Sequence, residues 1–136
     1  MIKRLRIAVV LLGACYASTG ALAEVLPGSE WKPTEVNGVP FETQSEVFIR
    51  FEQDGRFLGN GGCNSMRGGF VTNQDAILLG PAATTMMACP DDINRLEFTF
   101  IRGLGVARFF ERDGTALIFK DGGGVTVMRL EQRDPD

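Results

Sequence analysis

The chain has no histidine. A Ser-His-Asp or Cys-His arrangement therefore cannot be assembled, and the commonest zinc ligand is missing. It also lacks a long apolar run. Beyond the first two dozen residues no stretch approaches the roughly 20 apolar residues that span a bilayer without meeting a charge or a glycine. Cysteine is scarce, with three in 136 residues. None of them forms a Cys-x-x-Cys pair, which argues against dithiol redox work. Gly59-Asn60-Gly61-Gly62 is rich in glycine, but no Lys-Ser/Thr pair follows it, so it is not a phosphate loop.

What is present begins with an export signal. Lys3, Arg4 and Arg6 precede an apolar run from Ile7 to Leu12 and small residues ending Ala21-Leu22-Ala23, the pattern of a secretory signal peptide over residues 1–23. Cleavage there leaves residues 24–136, enough for one domain with its own core. A second processing route competes with the first, because Leu12-Gly13-Ala14-Cys15 resembles a lipobox whose cysteine is lipidated. The short apolar core ending at Cys15 favours that route. The well-formed Ala-Leu-Ala site and the absence of a polar tether after Cys15 favour ordinary cleavage. The expectation is a periplasmic or secreted protein, with a membrane-anchored lipoprotein as the alternative. Removing the three cations of the signal, a segment without acids, takes the net charge from −3 to about −6, which speaks against nucleic acid as a partner. With Cys15 set aside, Cys63 and Cys89 remain, and an even pair in an oxidising compartment points to a disulfide.

The mature segment alternates like a β protein. Val47, Ile49 and Phe51 interleave with Glu46, Arg50 and Glu52, and Asp54-Gly55 reads as a two-residue hairpin turn leading into Arg56–Gly59. Gly68–Thr72 and Ala76–Leu79 read as two more strands. A meander follows near the C-terminus through Ala107–Glu111, Ala116–Phe119 and Val125–Leu130, with turns at Asp113-Gly114 and Asp121-Gly122. Phe51–Gly55 and Phe110–Gly114 agree at four of five positions, which fits either an internal repeat or two hairpins with the same turn. One segment has helical spacing: Ile93, Leu96, Phe100 and Leu104 predict a helix over 91–102, acidic at its start and ended by Gly103 and Gly105. Phe98 and Ile101 beside that stripe suggest a helix covered over a wide face.

Gly62-Cys63-Asn64, then Gly68, then Thr85-Met86-Met87-Ala88-Cys89 before the helix resemble the META domain family, that of the HslJ-like heat-shock proteins. The resemblance runs from Trp31 to about Leu130 and rests on Gly62, Cys63, Asn64, Gly68, Thr85, Met87, Ala88 and Cys89 as its motif. Two positions depart from it. Pro33 replaces an aliphatic residue, so the Trp31 strand should be at an edge or interrupted. Met66 replaces an aromatic residue. The resemblance implies a mostly β (α+β) fold, a curved antiparallel half-barrel of about eight short strands packed on one helix.

No catalytic, cofactor or metal site emerges from the residues. The carboxylate pairs Glu52/Asp54 and Glu111/Asp113 flank turns, and Asp91/Asp92 open the helix. A half-barrel lined by Phe48, Phe57, Phe70 and Met87 would offer space for an acyl chain or a peptide. The expectation is a monomeric, non-enzymatic envelope protein without a cofactor. It would act as a binding or accessory module linked to stress tolerance, with an unidentified envelope protein as partner. The alternative is a carrier or inhibitor that binds a hydrophobic small molecule or an extracellular enzyme.

Overall fold

The computed structural model describes residues 13–14 and 25–134. The signal segment, Cys15 and the cleavage point after Ala23 fall outside or at the border of the described residues. The domain contains β1 (Glu30–Val36), β2 (Val39–Pro40), β3 (Val47–Phe51), β4 (Arg56–Gly61), β5 (Ser65–Asn73), β6 (Ala76–Leu79), β7 (Ala83–Thr84), α1 (Asp91–Val106), β8 (Phe109–Asp113), β9 (Ala116–Lys120) and β10 (Thr126–Arg133). All strand pairings are antiparallel, in the order β10-β9-β8-β6-β5-β4-β3-β1-β2. β1 also pairs with β10, so eight strands follow one another round a ring, with β2 and β7 as short additions. This is the mostly β, curved antiparallel architecture on one helix that the sequence implied.

The ring has two thin seams. β1 meets β3 only through Glu30↔Arg50 and Trp31↔Ile49, and β6 meets β8 only through Ala76↔Phe109. β1 is not an edge strand, because it lies between β10 and β3 with β2 following. It is interrupted, however: its register with β10 shifts between Pro33 and Glu35, where proline can supply no ladder donor.

Alternation decides what faces inward. Val47, Ile49 and Phe51 of β3 are buried, while Phe48 and Arg50 between them lie on the outer face. Trp31, Phe51, Phe57, Phe100, Phe110 and Phe119 are fully buried and fill the interior together with Leu117 and Leu130. α1 packs against β1, β4, β6 and β10. It buries Glu97, Phe100, Gly103 and Leu104, and Ile93 and Leu96 are half-buried on the same side.

Several local expectations are corrected. The helix does not stop at Gly103 but runs to Val106. Gly103 serves close packing instead, since a Cβ there would come within 2.6 Å of Met128 Cε. Phe98 is exposed rather than covered, because the helix buries only the face that meets the strands. The loop at Asp54-Gly55 is longer than two residues. Only Gly55 has positive φ, and Asp54 Oδ1 instead accepts the Arg56 amide at 3.1 Å. The type I′ geometry occurs at Asn37-Gly38, with φ of 53° and 76°, in the tight β1–β2 hairpin.

Gly59 and Gly105 give opposite expectations. A Cβ at Gly59 would fall 2.1 Å from the Phe48 carbonyl oxygen, a backbone atom, whereas nothing lies within 4 Å of one at Gly105. Gly59→Ala should lower stability to urea by about 3 kcal/mol or more. Gly105→Ala, inside the last helical turn, should raise it by up to about 1 kcal/mol. Equal effects of the two substitutions on the unfolding midpoint would contradict this packing.

Candidate functional site

The two motif blocks lie far apart in sequence but meet at one point, and α1 supplies the group that joins them. Glu97 lies one turn before Phe100 and one turn after Ile93, so helical spacing turns it inward; it is 8% exposed. Its Oε2 accepts the backbone amides of Cys63 at 2.9 Å and Asn64 at 2.6 Å, and its Oε1 accepts Asn64 Nδ2 at 2.6 Å. A group that meets donors at both oxygens is acting as an acceptor only, the behaviour of a carboxylate.

Asn64 carries the connection onward. Its Oδ1 accepts the Thr85 hydroxyl at 2.9 Å and the Met87 amide at 2.7 Å. The Thr85 hydroxyl also receives the Ser65 amide, and the Thr85 amide donates to the Ser65 carbonyl. The asparagine side chain thus bridges the helix carboxylate and the second motif block with all its polar atoms engaged. Among the described residues no buried side-chain polar atom is left without a partner.

The disulfide between Cys63 and Cys89, with Cα atoms 6.0 Å apart, closes the same junction covalently. Pro90 follows, and Asn94 Nδ2 donates to the Cys89 carbonyl at 3.0 Å as the helix begins. Asp91 and Asp92 occupy its first turn, where acids suit the helix dipole. The glycines leave room for this arrangement. A Cβ at Gly61 would lie 2.5 Å from Glu97 Cγ, and Gly62 has φ of +112°. Gly68 keeps clear of the Phe57 ring, which a Cβ would meet at 2.6 Å. Of the motif residues, Gly62, Cys63, Asn64, Thr85, Met87 and Cys89 therefore converge, Ala88 lies in the connecting loop, and Gly68 stands apart on β5.

The sequence motif by itself assigns Glu97 no role. The signal that would have found it is the helical period itself, which puts an acid at 97 on the face of 93, 100 and 104. A second buried carboxylate was also missed. Glu30, 1% exposed, holds Arg50 at 2.7 Å through Oε1 and the Arg133 guanidinium through Oε2. Arg133 also pairs with Glu46 and lies 4.7 Å over the Phe48 ring. Burial opposes the Arg133 charge, but its hydrogen bonds to Glu30 and Glu46 outweigh this and raise its pKa above the ordinary arginine value.

Three of the four acids at the turns are held by neighbouring cations: Asp54 by Arg56, Glu111 by Lys120 and Asp113 by Arg129. The hydrogen bond from Arg56 lowers the Asp54 pKa. The expected cavity lining is not found. Phe57 belongs to the core, Phe48 lies outside under Arg133, Phe70 stacks edge-on against Phe51, and Met87 is exposed. Strand alternation separates 48 from 57 and 70, and an open groove of about 900 Å³ runs outside the sheet past Leu58, Arg67, Gly68, Pro81 and Ala83.

An antiparallel ring of short strands packed on one helix, locked by a disulfide and a carboxylate–asparagine junction, defines the class. A model of the META domain family matches residues 24–134, and the chain belongs to that family. In fold it is similar to a DUF4847 family protein from Bacteroides vulgatus ATCC 8482, at 17% identity and a TM-score of 0.58 over 83% of this chain and 98% of that one. It is also similar to a protein from Burkholderia xenovorans known by NMR, at 14% identity and a TM-score of 0.64 over 98% of this chain and 100% of the other. A further NMR structure matches at 20% identity with a TM-score of 0.62, covering 79% and 92% of the two chains. At these identities the likeness is one of fold. No curated protein matches the chain.

Glu97→Gln keeps the size of the side chain but turns an amide NH₂ toward N–H donors. It should cost about 2 kcal/mol in urea unfolding. The paired change Cys63→Ser and Cys89→Ser should cost about 2–4 kcal/mol. Combining both should cost less than the sum, because they hold the same junction. Strict additivity in the double-mutant cycle would show the two locks to be independent.

Proposed function

We propose that this META domain is exported to a bacterial-type cell envelope and serves there as a non-catalytic binding or accessory module in stress tolerance, with an envelope protein as its partner. The observation that carries the reading is the use of the signature itself. The polar groups of the two motif blocks and the Glu97 carboxylate are spent on one another, as scaffold. Such an arrangement supports a domain whose fold is protected and whose function is delivered from its surface.

Export is supported by two features. The family match begins at residue 24, next to the Ala21-Leu22-Ala23 cleavage pattern, and the Cys63–Cys89 disulfide suits an oxidising compartment. No helix among the described residues is long and apolar enough to cross a membrane. The mature form is a monomer that starts at Glu24 in the periplasm or outside the cell. Lipidation at Cys15, tying it to a membrane, is the competing form.

The second reading, a carrier of a hydrophobic small molecule, draws on the outer groove, where Leu58, Pro81 and Ala83 lie beside Arg56 and Arg67. Native mass spectrometry of protein taken from its own envelope separates the two readings, since a carrier retains extra mass.

The intact mass from soluble and membrane envelope fractions tests localisation. The expected species begins at Glu24 and takes up alkylating reagent on two cysteines only after reduction. A species beginning at lipidated Cys15 would move the protein to the membrane surface. A cytoplasmic mass with the N-terminal segment retained would end the export reading altogether.

A further inference from the structure

The methionines among the described residues fall into two sets. Met66 and Met128 are 2% and 1% exposed in the core, whereas Met86 and Met87 are 96% and 63% exposed. The exposed pair sits on a loop that is pinned, residue by alternate residue, to the junction beneath it. Thr85 is tied by its amide and hydroxyl to Ser65 and Asn64, Met87 by its amide to Asn64 Oδ1 at 2.7 Å, and Cys89 by the disulfide. With positions 85, 87 and 89 held from the inside, Met86 is directed into solvent. The tie at Met87 uses only its backbone and leaves its thioether free.

A side chain of this size forgoes about 1.5–3 kcal/mol of burial by standing in water, and neither residue belongs to the core cluster. What an exposed thioether offers without any partner is reactivity toward two-electron oxidants. We propose that Met86 and Met87 form a modification site that takes oxygen atoms from hydrogen peroxide or hypochlorous acid while the fold stays intact.

With peroxide, a sulfur lone pair attacks one peroxide oxygen. The S–O bond forms as the O–O bond breaks, and the displaced hydroxide leaves as water after taking up a proton. The sulfur is oxidised by two electrons to the sulfoxide and the peroxide is reduced. With hypochlorous acid the same attack releases chloride and a proton. Return to the thioether requires a sulfoxide reductase fed by a thiol reductant.

The geometry explains why this chemistry leaves the fold in place. Neither sulfur belongs to the core cluster, so a polar sulfoxide breaks no core contact, and the Met87 amide still donates to Asn64. At Met66 or Met128 the same oxygen would enter a filled interior. The pinned loop therefore puts the expendable sulfurs where oxidant arrives first. The inference depends on neither export nor a stress role.

The test uses the full chain with the disulfide intact and Cys15 alkylated beforehand. Sub-stoichiometric hydrogen peroxide is followed by peptide mapping in a mass spectrometer, with Met1 read on its own peptide. Met86 and Met87 should gain oxygen at least about tenfold faster than Met66 and Met128. Protein oxidised at the pair alone should melt within about 2 °C of the untreated chain. Comparable rates at all four sites, or a clear fall in melting temperature on oxidising the pair, would overturn the proposal. The double variant Met86→Leu and Met87→Leu should keep the melting temperature and lose two equivalents of rapid peroxide consumption. Retention of that rapid phase would be equally fatal to it.

Discussion

The junction made by the Glu97 carboxylate is the constraint on which the rest of the domain depends. A carboxyl group inside a small protein is costly to desolvate, and without donors it would weigh against folding. Glu97 meets three N–H groups, two from the backbone after Gly62 and one from Asn64, and no lysine or arginine pairs with it among the described residues. Those donors exist only if β4 bends sharply through Gly61-Gly62 and if the helix lies close against it. The carboxylate therefore ties the bend, the helix position and the approach of the second motif block into one condition. The glycines are part of the same condition, because a side chain at Gly61 would occupy the space of the Glu97 methylene.

Closure of the ring raises a different problem. The sheet is continuous except at two seams, and the one on the β1 side is reinforced by Glu30. That carboxylate sits where β1 is flanked by Arg50 of β3 and Arg133 of β10, the two strands that must be brought together. One buried acid thus bridges both neighbours of β1, and the Phe48 ring lies beneath the Arg133 guanidinium. The β6–β8 seam has no such bridge. It is held by the backbone bonds Ile77 to Arg108 and Phe110 to Asp75, and by the helix behind it. The two seams show electrostatic and backbone solutions to the same geometric gap.

Much of this fold was legible because alternation and helical period are written directly in the residues. β6 has the expected bounds, β3 carries the expected alternation, and the helix begins at Asp91 as its acids suggested. What was not legible depended on contacts between distant segments. Gly103 and Gly105 read as helix breakers because their local cost is visible, whereas the tight approach of Met128 that favours glycine at 103 is not. Asp54-Gly55 read as a two-residue turn because the dipeptide permits one, yet the Asp54 carboxylate bonds the backbone and stabilises a longer loop. The disulfide followed from counting cysteines. The carboxylate that meets it did not, because a lone acid in a helix is ordinarily a solvated one, and only its phase relative to Ile93 and Phe100 marks it as buried. A cavity lined by Phe48 and Phe57 together would need both on one face, but strand parity sends Phe48 outward and Phe57 inward.

If the signature residues are committed to the junction, their presence specifies the fold more strongly than it specifies an activity. Chains that share as little as 14% of their residues with this one keep the architecture, which fits a small set of inward contacts fixing the backbone. Outward positions are the ones where substitution costs little stability. In this protein those positions include Leu58 and Arg67 along the outer groove and the methionine pair on the pinned loop. A residue such as Met87 belongs to both sets at once: its amide is held by Asn64 as part of the scaffold, and its side chain is free to meet whatever reaches the surface. That division between a fixed backbone and an unconstrained side chain lets one motif preserve the fold while the chemistry it displays varies.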